Sequence, residues 1–240
     1  MRSLRFALVA AAAALVATTA MASPAMPKNG AEYTTLASPQ PTQVIGKKIE
    51  VIEFFAYHCP ACNLMEPYVA EWAKKQANNV NFKRVPFPFA GPADPEAHLY
   101  LTLDAMGKAE EYGPKVFRAF HVERQRLTSD QAIMEWVGKS GLDKAKFTEY
   151  WNSFGVLTKL RRLPQMVVAY KVSGTPSFVV DGKYVTSPGE VGKANPDLPG
   201  SAVPAASNAT LDALVAMAMK EKGYTGAPAA VAPVKKTAGK

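Results

Sequence analysis

The chain has 240 residues and a formal net charge of +8, and apolar residues make up 48% of it. This length and composition support a folded core of substantial size. The basic residues include Arg2, Arg5, Lys235, Lys236 and Lys240 at the two ends. No cluster of Lys and Arg with interleaved aromatic residues is visible, so we expect no nucleic-acid partner.

The first residues have the pattern of an export signal. Arg2 and Arg5 precede an apolar stretch from Phe6 to Val16, and Ala20-Met21-Ala22 has the small-x-small form of a cleavage site. The alternative is a membrane anchor, but the apolar stretch is shorter than the roughly 20 residues that span a bilayer. We therefore predict a signal peptide over residues 1–22, cleaved near Ala22-Ser23, and a soluble mature protein in an exported compartment where thiols can be oxidised.

The first predicted elements form a strand, a helix and a second strand. A lead-in over 23–46 carries one short strand-like piece, Tyr33 to Leu36. Val51 to Ala56 is an apolar run interrupted by Glu53, which is typical of a central strand covered on both faces. A helix follows, with Cys59 at its cap, Pro60 in its first position and a kink expected at Pro67. A second strand is predicted at Val80 to Phe87. The strand, helix and strand form a βαβ unit, which predicts parallel pairing of its two strands.

A helical region follows these strands. Asp94-Pro95-Glu96 predicts a helix start, and that helix continues to Met106. Further helical stretches are predicted over 108–124, 129–139 and 143–170, with Pro164 kinking or interrupting the last one.

The remaining chain predicts a hairpin and a final helix. Asp181-Gly182 separates the strand-like runs Ser177 to Val180 and Lys183 to Val185, as in a tight turn with positive φ at both positions. We predict a loop over about 187–209, a helix from Leu211 to Lys222 capped near Asn208 or Thr210, and a disordered basic tail over 224–240. The order of elements indicates an α/β protein.

The two cysteines, Cys59 and Cys62, allow three interpretations. A structural disulfide across so short a loop would gain only about 2 kcal/mol in the chain-entropy model. A zinc site needs four ligands, but the remaining soft candidates are His58, His98 and His121, and the two latter lie on predicted helix faces without a nameable partner. The third interpretation is a reactive redox pair. The amides and dipole at a helix N-terminus stabilise a thiolate, so Cys59 would be the nucleophile and Cys62 the buried resolving thiol.

Glu53 lies six residues before Cys59 in the same strand. On an edge strand it would simply face water. On a central strand an unpaired carboxylate is costly, and we expect it to be held neutral with a raised pKa. In that position it could relay a proton to or from Cys62.

With these features the chain resembles the DsbA family of periplasmic thiol:disulfide oxidoreductases, which have the thioredoxin fold. The resemblance covers nearly the whole mature chain. It is carried by these stretches: Tyr33-Thr34-Thr35-Leu36, Glu53-Phe54-Phe55, Cys59-Pro60-x-Cys62, Trp151-Asn152-Ser153-Phe154 and Gly174-Thr175-Pro176 before Phe178 to Tyr184.

The resemblance implies a mixed central sheet flanked by helices, with an inserted all-helical domain. The implied division is a thioredoxin-like domain in two parts, 23–93 and 171–223, around a helical insertion over 94–170. It also implies a cis bond between Thr175 and Pro176 beside the disulfide, with Thr175 pairing with substrate and tuning the thiolate. No cofactor or metal is expected. The implied partners are reduced, unfolded exported proteins and a DsbB-type membrane oxidase, and we expect a monomer.

The chain departs from the family between its cysteines. The best-known oxidases have Pro-His there, whereas this chain has Pro60-Ala61, and Ala61 can donate neither a hydrogen bond nor a charge. His58 either compensates from the other side of Cys59 or is an exposed turn residue.

Three other functions stay open. A disulfide isomerase of this kind usually dimerises through an added N-terminal domain, for which the lead-in is too short. A reductase for cytochrome maturation is typically tethered to the membrane. A periplasmic chaperone could instead hold a soft metal such as Cu(I) between Cys59 and Cys62.

Overall fold

A computed structural model describes residues 23–44 and 46–224. The predicted signal peptide and nearly all of the predicted tail lie outside these residues. Short 3₁₀ turns at Gly91–Ala93 and Gly200–Ala202 accompany the main elements. The strands and helices are β1 (Tyr33–Thr35), β2 (Ile49–Phe55), α1 (Pro60–Lys75), β3 (Val80–Pro86), α2 (Pro95–Ala105), α3 (Ala109–His121), α4 (Asp130–Ser140), α5 (Lys144–Trp151), α6 (Phe154–Ala169), β4 (Ser177–Val180), β5 (Tyr184–Thr186), α7 (Pro188–Ala194) and α8 (Val203–Glu221).

The strands form one mixed sheet in the order β1-β5-β4-β2-β3. β2 pairs in parallel with β3 and antiparallel with β4, so both of its edges are hydrogen-bonded. Every residue of β2 is buried, which confirms the prediction of a covered, internal strand. The parallel pairing predicted for the βαβ unit is also confirmed.

Alternate residues of β2 enter cores on opposite faces of the sheet. Ile49 and Val51 pack in a cluster with residues of α1 and α8, while Ile52 and Phe54 pack with Tyr170 and Val172 just after α6. This separation follows from the two-residue period of a strand. The helices α2 to α6 bury a third cluster, and that cluster includes both cysteines. The start of α1 therefore lies where the helical region meets the sheet.

The tight turn between β4 and β5 was predicted correctly from two residues. Asp181 has φ 53° and Gly182 has φ 63°, the positive values that this hairpin turn requires. Gly182 has a second reason to be glycine, because a Cβ atom there would lie 2.1 Å from the Gln40 carbonyl oxygen.

The prediction of one helical stretch over 143–170 was wrong in one respect. The stretch forms two helices, and the break falls at Asn152-Ser153 instead of at Pro164. The Ser153 hydroxyl accepts a hydrogen bond from the Val156 amide and caps α6. Pro164 lies inside α6 without interrupting it, and burial of the neighbouring Leu160 and Leu163 offsets the lost amide donor.

The loop predicted over 187–209 and the start predicted for the last helix were also wrong. Ser187 caps α7, with Pro188 in its first turn. Helix α8 begins at Val203, and the polar residues read as caps lie inside it. The Thr210 hydroxyl donates to the Ala206 carbonyl, and the Asn208 amide donates to the Tyr68 carbonyl of α1. Of the described helices, α8 is apolar and long enough to span a membrane, but 56% of its most apolar window is buried within the fold.

Candidate active site

Cys59 ends the connection from β2 and caps α1. Its backbone is extended, with φ −72° and ψ 117°, and Pro60 occupies the first turn of the helix. The Cys59 sulfur accepts a hydrogen bond from the Cys62 amide at 3.3 Å. The predicted cap and helix start are thus confirmed, and they place one sulfur directly on the amides of a helix N-terminus.

The environment of Cys59 favours its thiolate form. Hydrogen bonds lower the pKa of Cys59 from 9.0 to about 5, the largest from the Cys62 thiol and others from the Thr175 side chain and the amides of Cys62 and Ala61. Burial acts in the opposite direction, but it is outweighed. Cys59 is 8% exposed and Cys62 is 1% exposed, so Cys59 is the more accessible of the two sulfurs. A low-pKa, accessible thiol is the feature that makes a cysteine reactive.

Cys62 has the opposite character. It is 1% exposed, and its pKa is raised because its thiol donates to the Cys59 thiolate and because it is buried. The structure shows the pair as two free thiols. One sulfur is thus a stabilised anion and the other a protonated, shielded thiol.

The loop before β4 completes the surroundings of Cys59. The bond between Thr175 and Pro176 is cis, as the family resemblance implies. The Thr175 carbonyl oxygen lies 3.3 Å from the Cys59 sulfur and accepts a hydrogen bond from the thiol when Cys59 is neutral. The Ser177 hydroxyl donates to the Gly174 carbonyl at 2.8 Å and so ties the loop to its own strand.

Glu53 is buried on a central strand as expected, but its carboxylate has a partner. It lies opposite Arg84 in the parallel register of β2 and β3, and the Arg84 Nε donates to its carboxylate at 2.9 Å. Arg84 also donates to Glu66 of α1 at 2.9 Å. Burial nevertheless raises the pKa of Glu53, because the desolvation of a carboxylate that is 1% exposed outweighs the attraction of one shared guanidinium.

The residues around the cysteines differ in exposure. Pro60 and Ala61 face solvent, and His58 is exposed as a residue. His58 is not a free turn residue, however, since its Nδ1 lies 2.7 Å from the Glu96 carboxylate at the start of α2. Ala61 contributes its backbone amide to Cys59, but it has no polar side chain.

The other two histidines have backbone partners that the sequence did not reveal. The His121 Nε2 donates to the Tyr57 carbonyl at 2.7 Å, just before the site. The His98 Nε2 lies 2.8 Å from the Trp151 carbonyl, and its ring stacks on that indole. Over residues 23–44 and 46–224, no group of three His, Cys, Asp or Glu side chains is placed to hold a metal ion.

Sequence reasoning missed Arg84, Glu66 and Glu96. A signal existed for Glu66, which lies four residues after Cys62 and so on the same face of α1. A basic residue inside a strand, such as Arg84, also indicates a buried partner. Nothing in the sequence indicated Glu96, since its contact with His58 joins positions 38 residues apart.

Comparison with known proteins supports a single family. Residues 95–198 match the family model described as DSBA-like thioredoxin domain. The thiol:disulfide interchange protein DsbA of Bordetella parapertussis is 43% identical over 188 residues, covering 78% of this chain and 89% of the relative. The protein of the same description from Pseudomonas aeruginosa strain PAO1 is 36% identical over 163 residues, covering 68% of this chain and 77% of the relative.

Solved structures give the same result for the fold. The crystal structure of Pseudomonas aeruginosa DsbA superimposes with a TM-score of 0.72 at 31% identity, covering 81% of this chain and 95% of that chain. The oxidoreductase NmDsbA1 of Neisseria meningitidis, at 22% identity and a TM-score of 0.66, supports the fold alone. The thioredoxin-like fold with a mixed sheet is thereby confirmed, and the chain belongs to the DsbA family of thiol:disulfide interchange proteins.

Proposed function

We propose that the chain introduces disulfide bonds into reduced, unfolded exported proteins, with Cys59 as the exchanging sulfur and Cys62 as its internal partner. The observation that carries this proposal is the asymmetry of the pair. Cys59 has a pKa lowered to about 5 at a helix N-terminus, whereas Cys62 is shielded and protonated. A stabilised thiolate is a good leaving group, and the reduced form of such a pair is favoured, which makes the disulfide an oxidant.

The reaction consists of two exchanges. A substrate thiolate attacks the Cys59 sulfur of the Cys59–Cys62 disulfide, forming a mixed disulfide and releasing Cys62 as a thiolate. A second substrate thiolate then attacks the substrate sulfur of the mixed disulfide. The substrate disulfide forms, and Cys59 leaves as the thiolate with its electron pair. The protein ends with two reduced sulfurs, so turnover requires an acceptor of two electrons.

Glu53 is the proposed proton relay for Cys62. Burial raises its pKa, and in its ionised form its charge contributes to the raised pKa of Cys62. A neutral Glu53 can give a proton to the Cys62 thiolate as the first exchange releases it. Arg84 lies between Glu53 and Glu66 and can stabilise the carboxylate that remains.

The support residues have separate proposed roles. Pro60 starts the helix, Ala61 supplies an amide to Cys59, and the Thr175-Pro176 loop presents a backbone edge for substrate. Exposed apolar side chains near the ends of α1 and β3, such as Leu64 and the 53% exposed Phe89, suit unfolded polypeptide. The proposed compartment is the periplasm, after cleavage near Ala22-Ser23. The proposed acceptor is a DsbB-type membrane oxidase, and the protein is proposed to act as a monomer.

A trapping experiment tests this function. In Cys62→Ser, the Cys59 thiolate should attack a peptide that contains a disulfide and accumulate as a mixed disulfide, because no resolving thiol remains. In Cys59→Ser, no adduct should form. The oxidised wild-type protein should also oxidise a reduced dicysteine peptide. Adducts on Cys62 instead of Cys59, or equal trapping by the two variants, would overturn the assignment.

A further inference from the structure

Glu96 contacts His58, the residue that precedes Cys59, at two points. Its Oε1 accepts a hydrogen bond from the His58 backbone amide at 3.0 Å, and its Oε2 lies 2.7 Å from the His58 Nδ1. The Glu96 side chain is 10% exposed, whereas that of His58 is 43% exposed. One nearly buried carboxylate thus fixes both the backbone and the ring of His58, and it does so from the start of α2.

The surroundings of the ring favour a cation. The Phe89 ring packs against it in a T-shaped arrangement, with the ring centroids 4.9 Å apart. Three acidic groups act on His58: Glu96 and Asp94 at the start of α2, and the Cys59 thiolate in its own segment. The hydrogen bond to Glu96 raises the pKa of His58, and the two other negative charges act in the same direction against the effect of burial.

The interaction between His58 and Cys59 is reciprocal. If the thiolate stabilises the imidazolium, the imidazolium stabilises the thiolate by the same free energy. The dipeptide between the cysteines offers no such charge, since Ala61 contributes only an amide. We propose that Glu96 is a positioning residue that holds a cationic His58 beside Cys59, so that His58 supplies from outside the dipeptide the charge that Ala61 lacks.

This inference rests on the proposed function and identifies where its leaving group gains stability. In the second exchange, the bond between the Cys59 and substrate sulfurs breaks, and the electron pair passes to Cys59. The His58 cation then faces the new negative charge. Reduction of the pair should therefore increase the affinity of His58 for its proton, because the oxidised pair carries no thiolate.

Titration of the imidazoles by NMR tests this coupling in the mature protein. The chain has 3 histidines, so each resonance is assignable by substitution. The pKa of His58 should be higher in the reduced than in the oxidised protein by at least about 0.5 units, a threefold change in the protonation ratio. The pKa of His98, which is bonded to the Trp151 carbonyl away from the site, should be the same in both states.

Three single variants and one double variant distinguish a positioning role of Glu96 from a purely structural one. Glu96→Gln should lower the pKa of His58 and raise the pKa of Cys59, read from thiolate absorbance, by at least about 0.5 units. His58→Gln should raise the pKa of Cys59 similarly, and the double variant should add nothing further. Asp104→Asn is the matched control, because Asp104 is also on α2 but pairs with Lys159. It should leave both pKa values unchanged.

Two results would overturn the inference. One is a His58 pKa that is equal in the two redox states. The other is a Cys59 pKa that is unchanged in Glu96→Gln while the free energy of unfolding of that variant falls. Glu96 would then have only a structural role. Either result leaves the proposed function intact if Cys59 still forms the trapped adduct with substrate. If trapping fails while the pKa of His58 still depends on the redox state, the proposed function is contradicted instead.

Discussion

The Thr175 carbonyl oxygen lies 3.3 Å from the Cys59 sulfur, although 116 positions separate the two residues. The cis bond at Thr175-Pro176 is part of the loop that makes this contact. The loop therefore forms one wall of the site, and the amides of α1 form another.

Thr175→Val should weaken the Cys59 thiolate. The substitution keeps the backbone contact and the side-chain volume, but it removes the side-chain hydrogen bond that lowers the pKa of Cys59. We expect that pKa to rise from about 5 by about one unit, measured from thiolate absorbance against pH. Ser177→Ala is the control, because its hydroxyl bonds to Gly174 and not to sulfur. Equal titrations for wild type and Thr175→Val would contradict the role given to this side chain.

Glu53→Gln should slow exchange and alter its pH profile. The amide cannot give or take the proton that the Cys62 thiolate needs, so we expect at least about a tenfold slower reaction. The measurement is the rate of peptide oxidation from pH 4 to pH 8. Glu50→Gln is a close control, since Glu50 is buried in the same strand and paired with Lys83. An unaltered profile in Glu53→Gln, or equal losses in both variants, would refute the relay.

The stability of the reduced protein should rise with pH. The pKa of Cys59 is about 5 in the folded state, against an ordinary value of 9.0. Between these values the unfolded chain binds a proton that the folded chain does not, so the free energy of unfolding rises by up to about 1.4 kcal/mol per pH unit. This contribution is complete above pH 9 and is lost as the pH falls through 5. Urea unfolding at several pH values, for the reduced wild type and for Cys59→Ser, measures this contribution. The same dependence of the free energy of unfolding on pH in both proteins would contradict it.

Asp212 should anchor the active-site helix to α8. Its Oδ1 accepts hydrogen bonds from the Trp72 indole and the Gln76 amide of the α1 end, both at 2.7 Å. Asp212→Leu leaves both donors buried without a partner, which should cost about 1–3 kcal/mol in urea unfolding. Asn208→Ala, in the same helix but at an exposed contact with Tyr68, should cost less. A free energy of unfolding for Asp212→Leu equal to that of the wild type would show that these two buried hydrogen bonds contribute nothing.

Local patterns predicted the parts of the fold that local forces determine. The cap at Cys59, the cap at Asp94 and the turn at Asp181-Gly182 each depend on a few consecutive residues, and all three were predicted correctly. Ser187-Pro188 carries the same helix-start signal as Asp94-Pro95, but the Gly and Pro residues that follow it favour a loop in the sequence pattern.

Side-chain contacts between residues far apart in the sequence could not be predicted from the sequence alone. The pairing of Glu53 with Arg84 depends on the register of two strands, and a shift of one residue would place the guanidinium on the other face. The contact of Glu96 with His58 depends on how α2 packs beside the site. For the same reason the predicted start of α8 was too late. Packing holds the first turns of this helix, and their polar side chains donate hydrogen bonds to carbonyls of the same helix.

The equilibrium redox potential of the Cys59–Cys62 pair against glutathione tests the central claim most directly. A Cys59 thiolate stabilised by α1, Cys62 and Thr175 predicts an oxidising pair, with a potential more positive than about −200 mV. A potential near the roughly −270 mV of thioredoxin would contradict the account, since such a pair would reduce its substrates instead of oxidising them.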